Sequence, residues 1–207
     1  MPIVSFVSQK GGVGKSTLAR ALAREAAAAG LAVKIADLDT EQGTALDWGR
    51  RRMAAGIDPL VPVEAFRTAA DAFKVADQFD LLVIDGPARA SAGTLAIAKT
   101  SDLVVQPASP AIDDLRPAVL VFNTLVEKGI PREKLALALV RTGTEAEEAF
   151  ARDYIDGRYQ VLPGALPERP AYRQAQNDGM AVTEVRFTGL SQRADALVQS
   201  IIDRAGL

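Results

Sequence analysis

The chain has 207 residues, and 24 Lys and Arg against 26 Asp and Glu give it a formal net charge of −2 at pH 7. That length suits one well-cored domain over residues 1–207 and is too short for two comfortable ones. The near-neutral charge provides no global positive field toward nucleic acid. Without cysteine the chain has no disulfide or cysteine-ligated iron–sulfur cluster, and without histidine it has no imidazole catalysis.

Short apolar runs alternate with helical patterns along the chain, which is typical of a parallel α/β sheet. The predicted strands are Ile3–Val7, Val33–Ala36, Val61–Val63, Leu81–Ile84, Leu103–Val105, Leu135–Val140 and, with a weaker pattern, Gln160–Leu162. No repeat, low-complexity tract or linker interrupts them. We therefore expect an α/β fold, with a doubly wound and mostly parallel sheet of about seven strands and helices on both faces.

Helical periodicity is strongest in residues 18–29, 112–126 and 190–202. Gly30 follows the first of these segments as a C-cap. In the second, Pro117 has no N–H and fits only in a first turn, so that helix is expected to start near Asp113 or Asp114. The third segment predicts a closing amphipathic helix.

Residues 8–17 read Ser-Gln-Lys-Gly-Gly-Val-Gly-Lys-Ser-Thr and lie between a predicted strand and a predicted helix. Such glycines adopt backbone angles closed to other residues and leave room for phosphate oxygens beside the chain. Successive N–H groups and the helix N-terminus supply partial positive charge. The context therefore predicts a phosphate-binding loop, with Gly11, Gly12, Val13 and Gly14 as its cradle. A flexible glycine turn before a capped helix is the alternative.

The residues after the cradle have separate expected roles. Lys15 would reach the β- and γ-phosphates as a point charge, and Ser16 would offer its hydroxyl to Mg²⁺. Thr17 would hydrogen-bond a further phosphate oxygen. These roles predict a nucleoside triphosphate with Mg²⁺ as the ligand.

Carboxylates follow two of the predicted strands. Asp85 ends an apolar strand, which is the Walker B arrangement for holding Mg²⁺, usually through water. Many strands end in Asp, so this assignment depends on the phosphate loop upstream. Asp37 and Asp39 end the second strand, where a carboxylate near the γ-phosphate can orient the attacking water. A pair of helix-capping aspartates is the alternative.

The double-lysine loop, with Lys10 before Lys15, resembles the deviant Walker A loop of the ParA/MinD group of P-loop ATPases. In that family the extra lysine crosses a nucleotide-sandwich dimer and touches the partner's phosphates, which implies this role for Lys10. The resemblance also implies the P-loop NTPase fold, ATP and Mg²⁺ as cofactors, a homodimer in the ATP state, and ATP hydrolysis that is slow without a partner. An ordinary surface lysine is the alternative.

The resemblance assigns further residues. It implies that Asp39 positions water, so that the expected catalytic set is Lys10, Lys15 and Asp39, and the expected metal set is Ser16, Asp39 and Asp85. The chain departs from the family after Asp39, because Thr40–Gly43 is one residue longer than the usual Pro-Gln-Gly. Residues 166–169 resemble the loop that borders adenine, which implicates Pro167. Arg141, at a strand end, is another candidate at the adenine edge.

The family uses the ATP-bound dimer as a switch that binds DNA or a membrane until a partner triggers hydrolysis. The closest resemblance is to the short ParA partition proteins that lack an N-terminal helix-turn-helix. Five arginines past residue 150 could form a nonspecific face for duplex DNA, although they could equally be scattered and solvated; they are Arg158, Arg169, Arg173, Arg186 and Arg193.

These features favour DNA partition or intracellular cargo positioning, with a ParB-like or cargo adaptor protein as the stimulating partner. The expected location is cytoplasmic and nucleoid-associated. One alternative is a MinD-like membrane-surface ATPase, but the last helical segment has no basic amphipathic face and no membrane anchor is evident. The other is a metabolic enzyme similar to dethiobiotin synthetase, which would need a second acceptor pocket.

Overall fold

The computed structural model describes residues 1–87 and 92–207. Its strands are β1 (Ile3–Phe6), β2 (Val33–Asp37), β3 (Val63–Ala65), β4 (Leu81–Asp85), β5 (Leu103–Ala108), β6 (Leu135–Thr142), β7 (Gln160–Val161) and β8 (Leu166–Pro167). Its helices are α1 (Lys15–Ala28), α2 (Thr44–Ala54), α3 (Ala69–Phe73), α4 (Ala92–Thr100), α5 (Ile112–Glu127), α6 (Glu145–Ile155), α7 (Pro170–Asn177) and α8 (Thr188–Ala205). Short 3-10 helices cover residues 76–78, 132–134 and 182–184.

The strands form one sheet in the order β3-β2-β4-β1-β5-β6-β7, and β8 pairs with β6. Every pairing between them is parallel. The carboxyl ends of parallel strands meet at one edge, where α/β proteins bind ligands. At this edge Asp85 pairs in register with Phe6 on one side and Asp37 on the other. The phosphate loop after β1 therefore stands next to both carboxylate positions.

Alternate side chains of the sheet pack into two separate apolar layers. In β4, Leu81 and Val83 face the layer that contains α1, α2, α7 and α8. Leu82 and Ile84 face the layer that contains α3, α4, α5 and α6. All four side chains are fully buried, as expected for a parallel strand covered on both faces. The predicted doubly wound fold with helices on both faces is confirmed.

The seven predicted runs all form strands; six begin at the predicted residue, and their last residues differ by one to three. The exception is β3, which occupies Val63–Ala65 instead of Val61–Val63 and is therefore displaced at both ends. Sequence periodicity missed β8, because two residues that include Pro167 have no alternating pattern to detect. Within the described residues, no helix is both long and apolar enough to cross a membrane.

The second helical segment starts within one residue of the predicted position, but the place expected for Pro117 is wrong. Helix α5 begins at Ile112, next to Asp113, and Pro117 lies inside it rather than in its first turn. An interior proline leaves the carbonyl four residues earlier without its helical donor. That carbonyl belongs to Asp113, and the Lys10 Nζ donates to it at 2.7 Å. A hydrogen bond from outside the helix thus compensates for the proline.

Candidate nucleotide-binding site

The phosphate loop connects β1 to α1 and depends on two glycines with positive φ. Gly12 has a φ of 72° and Gly14 a φ of 102°, values that L side chains rarely adopt. A Cβ added to Gly14 would lie 3.6 Å from Val140, an ordinary contact, so the backbone angle requires glycine there. Helix α1 begins at Lys15, and its first N–H groups have no partner within the helix. They are available to an anion.

A cavity opens in front of this loop and extends across the carboxyl edge of the sheet toward α7. Its lining comprises the residues Gly11, Gly12, Gly14, Lys15, Ser16, Thr17, Arg20, Asp39, Gln42, Thr44, Val140, Arg141, Leu166, Pro167, Glu168, Arg169, Tyr172, Arg173 and Gln176. The lining therefore combines the glycines and hydroxyls of the phosphate loop with the apolar side chains of Val140, Leu166 and Pro167. This combination suits a nucleotide, which has a charged end and a flat apolar end.

Lys15 is a nearly buried cation in the wall of the cavity, with 6% relative exposure. Burial lowers the pKa of its ammonium, while the charges of Asp85 and Asp39 act in the opposite direction. Its Nζ lies 3.5 Å from the carbonyl of Lys10, which is a long hydrogen bond. A buried ammonium in this position would be stabilised by an anionic ligand.

Asp85 lies deeper, at the end of β4, and is completely buried. Neither of its carboxylate oxygens has a hydrogen-bond partner among residues 1–87 and 92–207. Burial raises the pKa of Asp85 to about 7; the charge of Asp37 adds to the rise, and Ser16, Arg20 and Lys15 oppose it. An unpartnered buried carboxylate of this kind calls for a proton or a cation.

Mg²⁺ fits the donors on this side of the cavity. The Ser16 hydroxyl lies 2.9 Å from the Thr44 hydroxyl and near Asp85, so a hydroxyl and a carboxylate oxygen stand together. The described part of the chain contains no group of three or more His, Cys, Asp or Glu that could hold a metal. Mg²⁺ commonly takes one or two carboxylates plus substrate phosphates and water, which matches this small donor set.

The two aspartates after β2 have different positions. The buried Asp37 accepts hydrogen bonds from the N–H groups of Asp39 at 3.0 Å, Ala45 at 3.1 Å and Leu46 at 3.1 Å. It thereby caps the start of α2, as the capping interpretation proposed. Asp39 instead lines the cavity. Its carbonyl accepts from the N–H of Gly43 at 2.7 Å, so the longer loop closes as a tight turn and leaves Asp39 at the cavity.

Lys10 lies outside this cavity and lines a smaller one against α5, together with Val13. Its Nζ donates to Asp114 Oδ1 at 2.6 Å as well as to the Asp113 carbonyl. The other oxygen of Asp114 accepts from the Ser109 hydroxyl. The double-lysine loop therefore has one lysine directed into the cavity and one held on the neighbouring helix.

Arg141 and Pro167, the residues expected near adenine, both line the cavity. Arg141 also has a φ of 56°, the positive value that is uncommon outside glycine. It stands where the pairing of β6 with β8 shifts register between Val140 and Thr142. The irregular backbone within β6 exposes this arginine at the cavity rim.

The five arginines past residue 150 do not form a single face. Arg169 and Arg173 line the cavity, and the charges of Arg193 and Arg169 both act on Tyr172. Arg186 borders a separate surface hollow on α7. Arg158 precedes β7, and its carbonyl accepts from Arg132, which precedes β6. It therefore lies at the amino edge of the sheet, opposite the cavity.

Sequence reasoning missed three cavity residues, Arg20 and the two residues that accept its hydrogen bonds, Thr44 and Gln176. Arg20 is 7% exposed and donates to the carbonyl of Thr44 and to Gln176 Oε1. A signal was available, because Arg20 lies one helical turn after Ser16 in a segment that is otherwise mostly apolar. Thr44 and Gln176 gave no comparable signal.

Comparison with known proteins gives concordant results. The family description "CobQ/CobB/MinD/ParA nucleotide binding domain" matches residues 4–182. "Maintenance of carboxysome distribution protein A" from Gloeobacter kilaueensis is 33% identical over 180 residues, which cover 78% of this chain and 82% of that protein.

Two solved structures show the same fold. The septum site-determining protein MinD from Pyrococcus horikoshii, complexed with Mg-ADP, has a TM-score of 0.77 at 19% identity and covers 99% of this chain and 97% of its own. An ATP complex of a McdA variant from Cyanothece has a TM-score of 0.69 at 14% identity, with 97% of each chain covered. The family match and the 33% identical relative establish that this chain belongs to the CobQ/CobB/MinD/ParA family of nucleotide-binding domains.

Proposed function

We propose that this chain is an ATPase that positions intracellular cargo or partitions DNA, with ATP–Mg²⁺ binding as its switch. One observation carries the proposal: the phosphate loop, Lys15, Ser16 and Asp39 meet at one cavity, with the unpartnered carboxylate of Asp85 behind them. The relative that acts in carboxysome distribution supports cargo positioning as the purpose of the switch.

Each residue of the cavity would have a separate role that follows from its position. The start of α1 and Lys15 would bind the β- and γ-phosphates, and Ser16 with Asp85 would hold Mg²⁺. Bound ATP supplies the phosphoryl group, and Mg²⁺ neutralises charge on its oxygens. Asp39 would orient the attacking water, and the apolar wall at Pro167 would contact the base. Phosphoryl transfer needs mainly such positioning, so this set is sufficient for slow hydrolysis.

Lys10 supports a switch that depends on assembly. In the single chain it is bound to Asp113 and Asp114 and is not directed into its own cavity. The site would therefore lack one cation until the ATP state dimerises and the partner subunit's Lys10 enters it. A ParB-like or cargo adaptor protein would then stimulate hydrolysis and release the dimer.

A nonspecific DNA-binding surface would centre on α7. Arg169 and Arg193 lie close enough for their charges to act on Tyr172, Arg173 follows Tyr172 on α7, and all three arginines are exposed. Arg173 is paired with Glu168 at 3.0 Å, and Arg193 is 3.9 Å from both Glu145 and Glu148. Exposed ion pairs are weak, so phosphates can replace these carboxylates. A dimer would present two copies of the surface, and the bound protein would then be associated with the nucleoid.

The test is retention on nonspecific duplex DNA at low salt, with a nonhydrolysable ATP analogue, with ADP and without nucleotide. We expect retention only with the analogue, and its loss in Lys15→Ala because nucleotide is no longer bound. Each phosphate contact contributes about 0.9 to the log–log salt slope, so Arg173→Ala should reduce the slope by about 2 per dimer.

Arg158→Ala is the matched control, because Arg158 lies at the opposite edge of the sheet. Its salt slope should equal that of the parent protein. If retention is absent, or does not depend on nucleotide, DNA is not the surface. Binding to anionic vesicles instead would then support a membrane-surface ATPase, and turnover with a small acceptor would support a metabolic enzyme.

A further inference from the structure

Arg20 is a buried cation on α1, one helical turn beyond Ser16, and it borders the nucleotide cavity. Its Nη2 donates to the carbonyl of Thr44, and its Nη1 donates to Gln176 Oε1 at 3.0 Å. Its Nε is buried and has no partner among the described residues. The guanidinium group thus joins two elements that are distant in sequence, α2 and α7.

The contact with Thr44 holds the part of the cavity wall where Ser16 lies near Asp85. Thr44 begins α2 and ends the loop that starts at Asp39. Its carbonyl accepts from Arg20, while its hydroxyl lies 2.9 Å from that of Ser16. Two residues one turn apart on α1 therefore hold Thr44 by two different atoms. This arrangement ties the loop that carries Asp39 to the helix that carries Ser16.

The contact with Gln176 fixes the opposite wall. Gln176 Oε1 accepts from Thr17 at 3.1 Å as well as from Arg20, so α7 is joined to the phosphate loop through one amide. A planar guanidinium can reach both Thr44 and Gln176 because its donors diverge at fixed angles. A lysine ammonium at this position could keep the charge but not the pair of directed hydrogen bonds.

Packing alone does not explain an arginine at this position. Desolvation foremost lowers the pKa of Arg20 to about 10, and the charges of Asp85 and Asp37 only partly offset it. Leu18 and Leu22, on the same helix, are fully buried without any such cost. Replacing a buried charge by an apolar side chain is often neutral or stabilising, so the guanidinium must contribute something besides packing.

We propose that Arg20 is a positioning residue of the nucleotide site, which holds the Asp39–Thr44 loop against Ser16 and α7 against the phosphate loop. The effect on hydrolysis rests on the proposed ATPase function, whereas the positioning itself is a property of the nucleotide-free protein. Removal of Arg20 should therefore affect the placement of Asp39 and Mg²⁺ more than the binding of ATP.

The first experiment is hydrogen exchange in the nucleotide-free protein, comparing the parent, Arg20→Leu and Arg20→Lys. A charge-assisted hydrogen bond contributes about 1.5–3 kcal/mol, so peptides covering residues 39–48 and 170–177 should exchange roughly tenfold faster or more in both variants. Arg24→Lys, one turn further along α1 and outside the cavity lining, is the matched control and should leave both peptides unchanged. Circular dichroism establishes that each variant is folded.

The second experiment separates ATP binding from turnover. Loss of a residue that orients ligands through another group typically costs 10–100-fold, so single-turnover hydrolysis should fall by about that factor in both Arg20 variants. The Mg²⁺ concentration for half-maximal hydrolysis should rise, while the affinity for a fluorescent ATP analogue should change by only about threefold. Arg24→Lys should match the parent.

Unchanged exchange in folded Arg20 variants would overturn the positioning role. So would full turnover in Arg20→Lys, since charge alone would then be sufficient. If exchange increases as expected but the parent protein hydrolyses no ATP, the positioning role stands and the proposed ATPase function fails.

Discussion

The ammonium of Lys10 lies 2.6 Å from the carboxylate of Asp114 in the same chain. Pro117 adds to this contact, because its missing N–H leaves the carbonyl of Asp113 free to accept from the same ammonium. The lysine expected to act across a dimer is thus bound in cis. If Lys10 acts across a dimer as proposed, dimerisation would have to exchange these two acceptors for phosphate oxygens of the partner's nucleotide.

Lys10→Ala should weaken ATP-dependent dimerisation more than it weakens ATP binding, because the proposed contact of Lys10 would lie across the interface. Asp114→Asn should act in the opposite direction by releasing Lys10. Lys10 is about half exposed, and exposed ion pairs contribute roughly 1 kcal/mol or less, so the dimer should tighten by about fivefold per subunit at most. Sedimentation with a nonhydrolysable ATP analogue measures both effects. A Lys10→Ala protein that dimerises as the parent does would reduce Lys10 to a surface residue.

Asp39→Ala should bind ATP–Mg²⁺ and accumulate as a dimer, yet hydrolyse ATP about 10²-fold more slowly. The reason is that Asp39 would position water, whereas Lys15 and the start of α1 would hold the phosphates. Equilibrium binding of a fluorescent analogue and single-turnover hydrolysis report the two steps separately. Lost ATP binding, or unchanged turnover, would show that Asp39 has another role.

Asp85 should make the stability of the metal-free protein depend on pH. Its folded-state pKa is raised to about 7, so between about pH 4 and pH 7 the folded state keeps a proton that the unfolded state has released. The contribution of Asp85 to the free energy of unfolding is therefore complete at low pH, falls as pH rises through this range, and is lost above about pH 7.

Asp85→Asn removes this ionisation. The variant should gain stability relative to the parent as pH rises, by up to roughly 4 kcal/mol at pH 8 and far less at pH 5. Urea unfolding in EDTA at both pH values measures the difference. Added Mg²⁺ should reduce it at pH 8 by stabilising the ionised parent. An equal difference at pH 5 and pH 8 would contradict the assigned shift.

The buried ion pair of Arg52 and Glu184 should make a large contribution to the free energy of unfolding. Arg52 is 1% exposed, and its Nη1 and Nη2 donate to Glu184 at 2.6 and 3.0 Å. Removing one partner leaves the other charge buried and uncompensated, so Glu184→Ala should lower the free energy of unfolding by about 3–5 kcal/mol. Glu127→Ala, at the exposed end of α5, should change it by about 0.5 kcal/mol or less. Urea denaturation of the two variants gives the comparison.

Local patterns predicted much of this protein because their causes are local. Apolar runs without alternation indicated strands covered on both faces, and the glycines around Lys15 indicated a backbone that must adopt positive φ. Asp85 was located as the end of such a run, and parallel pairing brings strand ends to one edge whatever the loops between them. The fold class and the phosphate-binding part of the site could therefore be predicted from residues that lie within a few positions of one another in the sequence.

Only the tertiary structure decided which distant groups meet. The sequence interpretation of Pro117 considered only the donor that it lacks within its helix, but the ammonium of Lys10, 103 positions before Asp113, donates to the free carbonyl of Asp113. Sequence reasoning did not single out Arg20, whose buried guanidinium donates to Thr44 and Gln176. Arg158 and Arg173 looked alike as sequence, and the sheet places them at opposite edges. Hydrogen bonds and burial between elements depend on how helices pack on the sheet, and residue periodicity does not contain that information.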